Sequence, residues 1–185
     1  MGIDYEALPL TYCARRGIHT VAQADVAHLP FRDESFDIVL ATDLLEHLAD
    51  DAAAIPELVR VLRPDGYLII SVPAMKHLWT GHDVALGHYR RYARRGVVDL
   101  LRVAGLRVTR STYAVSLLYP AKLLAKVIGP LVFRGKPESH TFLRLPQIVN
   151  SFLIRLMRFE AWLLSRVNLP FGTSVFCVAR KEKKI

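Results

Sequence analysis

Apolar residues follow two rhythms along this chain. Phe36–Ala41 (FDIVLA) and Tyr67–Val72 (YLIISV) are short, nearly continuous apolar runs, the pattern of strands buried on both faces. The second is introduced by Pro64-Asp65-Gly66 and closed by Pro73, which are turn and stop signals. Ile18–Ala24 is a third β-rich run ending at Asp25, and Gly2-Ile3-Asp4 reads as the end of a strand with a carboxylate last. Between the first two runs, Asp50–Leu62 sets Ala53, Leu58, Val59 and Leu62 at helical spacing, with Asp50 or Asp51 as N-cap. Strand, helix and strand with short links predict a parallel pair and a right-handed crossover. Farther on, Ala93–Ala104 is helical, Gly105 suits the position just past its end, and Leu106–Tyr113 alternates as a strand. Thr173–Ala179 closes the series. These elements predict an α/β fold with a doubly wound, mostly parallel sheet.

The stretch Ala114–Arg166 breaks the rhythm. Val115–Phe133 is apolar but interrupted by Pro120, Lys122, Lys126 and Pro130, so it lacks the roughly 18 charge-free residues of a spanning helix. Leu145, Ile148, Val149, Phe152, Leu153, Leu156, Trp162 and Leu163 then recur near helical spacing, with Arg144, Arg155, Arg158 and Arg166 interleaved. Such a stripe either packs on the domain's own sheet or lies in a membrane interface, arginines at the headgroups and Trp162 as anchor.

Charge sharpens this division. Residues 1–89 hold six Lys/Arg and thirteen Asp/Glu, net −7, and residues 90–185 hold nineteen and four, net +15, which sum to +8. The basic half calls for an anionic partner or is a solvated face. At 185 residues and 52% hydrophobic, with mean hydropathy +0.23, the chain suits one folded domain and excludes a disordered tail. Two cysteines, Cys13 and Cys177, make neither a disulfide framework nor a cysteine zinc site, so a reducing, cytoplasmic setting is expected.

Candidate chemistry is sparse. G-x-G-x-x-G, the Walker lysine loop and the G-x-S-x-G elbow are absent from the sequence, as are nucleic-acid-binding signatures, so no nucleic-acid partner is expected. Asp4 has the chemistry of an acid that accepts from ribose hydroxyls. Glu46, His47 and Asp50 form E-H-x-x-D, a set able to cap a helix, exchange protons or hold a divalent cation. Capping is the favoured reading: no metal is expected, and His47 is the candidate general base. His77, His82 and His88 lie in a loop-like stretch with Trp79, Tyr89, Arg90 and Arg91; they miss zinc spacing but suit a substrate pocket or a cationic loop.

The ordered string GID…ARRG…QADVAHLPFRDESFDIVLATDLLEHL…LVRVLRPDGYLIISVP resembles class I S-adenosylmethionine-dependent methyltransferases, in style the ubiquinone/menaquinone-biosynthesis type. The resemblance runs from Gly2 to about Tyr113, and His88-Tyr89-Arg90-Arg91-Tyr92 resembles the segment before the family's sixth strand. It implies a Rossmann-like fold with S-adenosyl-L-methionine as methyl donor. By position it assigns Asp4 to the ribose diol with Tyr5 flanking, Asp25 and Val26 to the adenine, and Ala41 and Thr42 to the methionine end. From that loop-like stretch itself, His88, Tyr89 and Arg90 are the candidate substrate residues. The family's first strand and glycine turn have no counterpart ahead of Asp4, so the expectation is an N-terminally incomplete core with impaired donor binding. The expected division is 1–113 for the core, 114–168 for the basic helical segment and 169–185 for a last strand and tail. The acceptor is expected to be a small molecule or lipid-like, the location cytoplasmic with a peripheral place at the inner membrane face. The alternative is a non-catalytic binding module.

Overall fold

Six strands and six helices form among the described residues of the computed structural model, which are 1–132 and 146–183, with backbone alone for 129–132. The order is β1 (Gly2–Asp4), α1 (Ala7–Arg15), β2 (Val21–Gln23), β3 (Phe36–Thr42), α2 (Asp51–Arg60), β4 (Leu62–Pro73), α3 (Gly81–Ala85), α4 (Arg94–Val103), β5 (Leu106–Ala114), α5 (Tyr119–Val132), α6 (Gln147–Leu164) and β6 (Ser174–Lys181). A single 3-10 turn at Leu45–His47 joins β3 to α2, and another at Lys76–Leu78 follows β4.

The strands make two sheets: a parallel pair β1-β2, and a four-stranded sheet ordered β3-β4-β6-β5. β3 and β4 are parallel, and α2 is the crossover expected between them. β6 lies antiparallel between β4 and β5, so the larger sheet is mixed. Its register explains the core. Leu68, Ile70 and Val72 stand opposite Ala179, Cys177 and Val175, and all six are fully buried. Side chains two apart share a face of a strand, so these six form one apolar layer. Ala54, Ile55 and Leu58 of α2 and Val97 and Leu101 of α4 belong to the same core cluster.

Three expectations change. β3 is not buried on both faces: Asp37, Ile38 and Leu40 are exposed, Leu40 to 66%. Its edge away from β4 has no strand partner among the described residues, nor has the edge of β1 away from β2. The inward face of α2 is Ala54, Ile55 and Leu58, whereas Ala53 is exposed and Leu62 is already the first residue of β4. Asp50, not Asp51, is the N-cap, its Oδ1 accepting from Ala53 N–H at 3.2 Å. Third, the single apolar stripe of α6 is two stripes. Leu153, Leu156, Leu163 and buried Glu160 turn inward; Ile148, Phe152, Phe159 and Trp162 turn out, each more than half exposed. Arg144, Leu145 and Phe133 lie outside the described residues.

Arg60 fixes the loop after β2. Its guanidinium donates to the carbonyls of Leu29 (3.0 Å) and Phe31 (2.8 Å) and to Asp33 and Glu57, while Glu57 Oε2 accepts from Leu29 N–H at 2.8 Å. The Arg60 bonds hold the Glu57 carboxyl down at about 2. Both cysteines are free.

Candidate active site

The chain leaves β3 at Thr42 and turns sharply. Asp43 adopts φ of 49°, a left-handed conformation that aspartate tolerates better than most residues. Its N–H donates to Ser71 O at 2.8 Å, and the turn sends Leu45 and Glu46 back into the protein, 0% and 1% exposed. Glu46 and His47 line a cavity of about 340 Å3, a size that accommodates a small substrate or the reactive end of a larger one. Asp43, His82, Asp83, His88, Arg91 and Lys122 share the wall.

Burial drives the Glu46 carboxyl up from 4.5 to about 7; a backbone hydrogen bond and Arg91 pull against the rise and Asp43 adds to it. Glu46 Oε2 has no hydrogen-bond partner among the described residues. Desolvation, then the neighbouring His88, hold the His47 imidazole below its usual value, so it is neutral at physiological pH. The two imidazoles meet edge to face with centroids 4.7 Å apart. Lys122 reaches in from α5 with its amine also depressed, first by desolvation and then by Arg91. One ligand-type atom each from Glu46, His47 and His88 lies within 4.8 Å of the others. With Arg91 and Lys122 in the same cavity and the Glu46 carboxyl driven toward its neutral form, that grouping is chemically suited to exchange protons.

The His88–Tyr92 motif is mostly a clamp. Arg90 donates to Asp51 at 2.9 Å and to Ala49 O, and Tyr92 O–H donates to Asp51 Oδ2 at 2.6 Å. Arg91 pairs with buried Asp83 and donates to Ala74 O at 3.0 Å. Of the expected substrate residues, His88 alone lines the cavity; Arg90 is occupied by Asp51, and Tyr89 is 60% exposed with its N–H donating to Glu46 O. His82 lines the cavity too, whereas His77 stands outside it, its Nε2 2.9 Å from the Tyr119 hydroxyl.

The expected donor-binding residues sit at strand ends. Asp4 ends β1 with Oδ1 accepting from Glu6 N–H at 2.9 Å, and Asp25 follows β2 with Oδ1 accepting from Ala27 N–H at 2.9 Å. The other carboxylate oxygen of each accepts no hydrogen bond among the described residues. Tyr5 is exposed; Ala41 is buried and Thr42 exposed at the end of β3, next to cavity-lining Asp43. Val26 is a member of the core cluster, 6% exposed, so it packs inward where a ring-lining residue would be open. Asp4 and Asp25 thus stand at the ends of two paired parallel strands, with the chemistry to accept from hydroxyl or amino groups. Among the described residues no glycine-rich turn stands between a strand and a helix to hold an amino-acid end.

Sequence reasoning found Glu46, His47 and His88 but missed Asp83 and Lys122. Thr80 and Asp83 are spaced as a capping box, the one local signal for Asp83, and both of its hydrogen bonds form. Lys122 sits in an apolar helix, and only the fold brings it to the cavity.

Residues 1–70 match the family model described as a methyltransferase domain. A probable S-adenosylmethionine-dependent methyltransferase of Mycolicibacterium smegmatis is 32% identical over 111 residues, covering 58% of this chain and 43% of that protein. The chain thus spans about half the length, or less, of the curated relatives it matches. The fold is shared with an S-adenosylmethionine-dependent methyltransferase of Thermotoga maritima, named as a possible histamine N-methyltransferase (TM-score 0.60, 18% identity, covering 98% of this chain and 73% of that one). It is also shared with phosphoethanolamine N-methyltransferase 2 of Haemonchus contortus, solved with S-adenosyl-L-methionine (TM-score 0.57, 17% identity, covering 98% and 43%).

Proposed function

We propose that the chain is a class I S-adenosylmethionine-dependent methyltransferase, as the match of residues 1–70 and the relative 32% identical over 111 residues support, and that it takes part in methyl transfer to a small or lipid-like acceptor held in the polar cavity beyond β3. S-Adenosylmethionine supplies an electrophilic methyl group on sulfur. Asp4 and Asp25 hold the ribose and adenine through their free carboxylate oxygens, and the backbone at Ala41 and Thr42 meets the methionine end. One observation carries this reading: the chain passes in a single residue from Thr42, at the expected donor site, to Asp43 in the cavity wall. Donor and acceptor are thereby neighbours, and methyl transfer depends chiefly on such proximity and orientation. Incubation of the chain and a cell extract with deuteromethyl-labelled donor tests it. Label is expected in a small product of the organic-solvent fraction; its absence from every fraction, lipid and aqueous, would sink the reading.

The outer face of α6 supports the lipid side of the proposal. Phe159 and Trp162 stack at 5.7 Å, and the Arg166 guanidinium lies over the Trp162 ring at 4.1 Å. Arg155 and Arg158 are exposed beside them, whereas Glu160, the helix's only acidic residue, points inward. Aromatic anchors flanked by arginines match an anionic membrane surface, where apolar burial and charge act together. No described helix is long and apolar enough to cross a membrane. The alternative, a non-catalytic binding module, keeps this face and loses the donor site.

A further inference from the structure

Asp83 and His88 form a buried pair in the cavity wall. The Asp83 side chain is 0% exposed and that of His88 9%. Asp83 Oδ2 accepts from Thr80 N–H at 2.9 Å and Thr80 hydroxyl at 3.2 Å; Oδ1 accepts from Arg91 Nε at 2.8 Å and stands 3.2 Å from His88 Nδ1. Burial resists ionisation of Asp83, but the Thr80 N–H, Arg91 and His88 outweigh it and hold the carboxyl below its usual value. An ionised carboxylate only accepts, so the hydrogen of a neutral His88 ring sits on Nδ1 and leaves Nε2 bare. The ring lines the cavity, against His47 and within reach of Glu46.

We propose that His88, oriented by Asp83, receives the proton of the methyl acceptor, which therefore carries a hydroxyl as its nucleophile, or an ammonium group that becomes the nucleophilic amine on giving up that proton. The inference rests on the methyl-transfer reading and narrows its substrate class. As the acceptor oxygen or nitrogen bonds to the methyl carbon, the carbon–sulfur bond breaks and its electron pair stays on sulfur as a neutral thioether. The acceptor's proton passes to Nε2, and the imidazolium faces the Asp83 carboxylate. Arg91 and Thr80 keep that carboxylate ionised, so the proton stays on His88 until water at the cavity mouth takes it. Asp83 is thus a positioning residue. The other ionisable groups around the ring are Asp43, Glu46 and His47 from the β3–α2 connection, His82 on α3, Arg91 ahead of α4 and Lys122 on α5.

The test is two-bond 1H–15N spectroscopy of the full chain with 15N-labelled histidine from pH 5 to 9, His88 being assigned by the signals lost in His88→Gln. The expected neutral ring has its hydrogen on Nδ1, with Nε2 resonating far downfield. Phenol, as a protic probe, should shift Nε2, and anisole, which lacks the hydroxyl, should not. In Asp83→Asn the tautomer preference should be lost. A wild-type ring with hydrogen on Nε2, equal responses to phenol and anisole, or a response to equimolar Zn2+ in place of phenol would each overturn the proposal. The wild-type spectra decide the matter even where Asp83→Asn fails to fold. A chain that shows the expected tautomer and phenol response yet binds no S-adenosylmethionine would retire the methyl-transfer reading and leave the proton-accepting pair in place.

Discussion

Glu46 is where burial and ionisation conflict most openly. Its carboxyl is 1% exposed and titrates at about 7 in the folded chain against 4.5 ordinarily. The native state therefore keeps a proton that the unfolded chain has already released. Stability conferred by that proton is complete below pH 4.5, declines as pH rises, and is gone above about 7, a change of about 3 kcal/mol. Glu46→Gln should remove this slope: its urea midpoint should match wild type at pH 4.5 and exceed it at pH 8. Parallel pH dependences for the two proteins would contradict the assignment. The sequence gives Glu46 away only as part of E-H-x-x-D. Its burial depends on the left-handed turn at Asp43, which no spacing rule announces.

Helix α6 is held at a specific point. Glu160 is 3% exposed, and its two carboxylate oxygens accept from Ser116 N–H at 3.0 Å and Leu117 N–H at 2.9 Å, across the β5–α5 connection. Glu160→Ala leaves both N–H groups without their partner and should cost about 3 kcal/mol, from two hydrogen bonds to a charged group. The loss should appear first as faster hydrogen exchange along α6; exchange unchanged there would show that apolar contacts alone dock the helix. Periodicity made α6 legible as a helix but merged its two faces, because Phe152 and Trp162 are as apolar as Leu153 and Leu163. Only the inward Glu160, with its backbone partners, distinguishes them. Strand β4 is legible from its apolar run and the turn signals around it, and β5 from its alternation. The exposure of Ile38 and Leu40 was not, since strand burial depends on what neighbours the sheet edge and not on the strand's own composition.

For the molecule as a whole, the division of charge matters most. The acidic half supplies the strand-end carboxylates and the basic half supplies α5 and α6; on the proposed reading the first hold a cationic sulfonium donor and the outer face of α6 meets an anionic surface. Sedimentation with phosphatidylglycerol vesicles should fall sharply in the Phe152→Ser, Trp162→Ser double variant and at high salt, with neutral phosphatidylcholine vesicles binding weakly throughout. Equal pelleting of the variant would sink the membrane reading and leave the donor site untouched. Donor recognition is the claim on which the rest stands, and calorimetric titration of the chain with S-adenosylmethionine tests it most directly. The account predicts weak but saturable one-to-one binding, in keeping with the impaired donor site, that falls about a further 100-fold when Asp4 and Asp25 are both changed to alanine, as expected for two charge-assisted hydrogen bonds. Wild-type heats indistinguishable from dilution, or full affinity in the double variant, would contradict it.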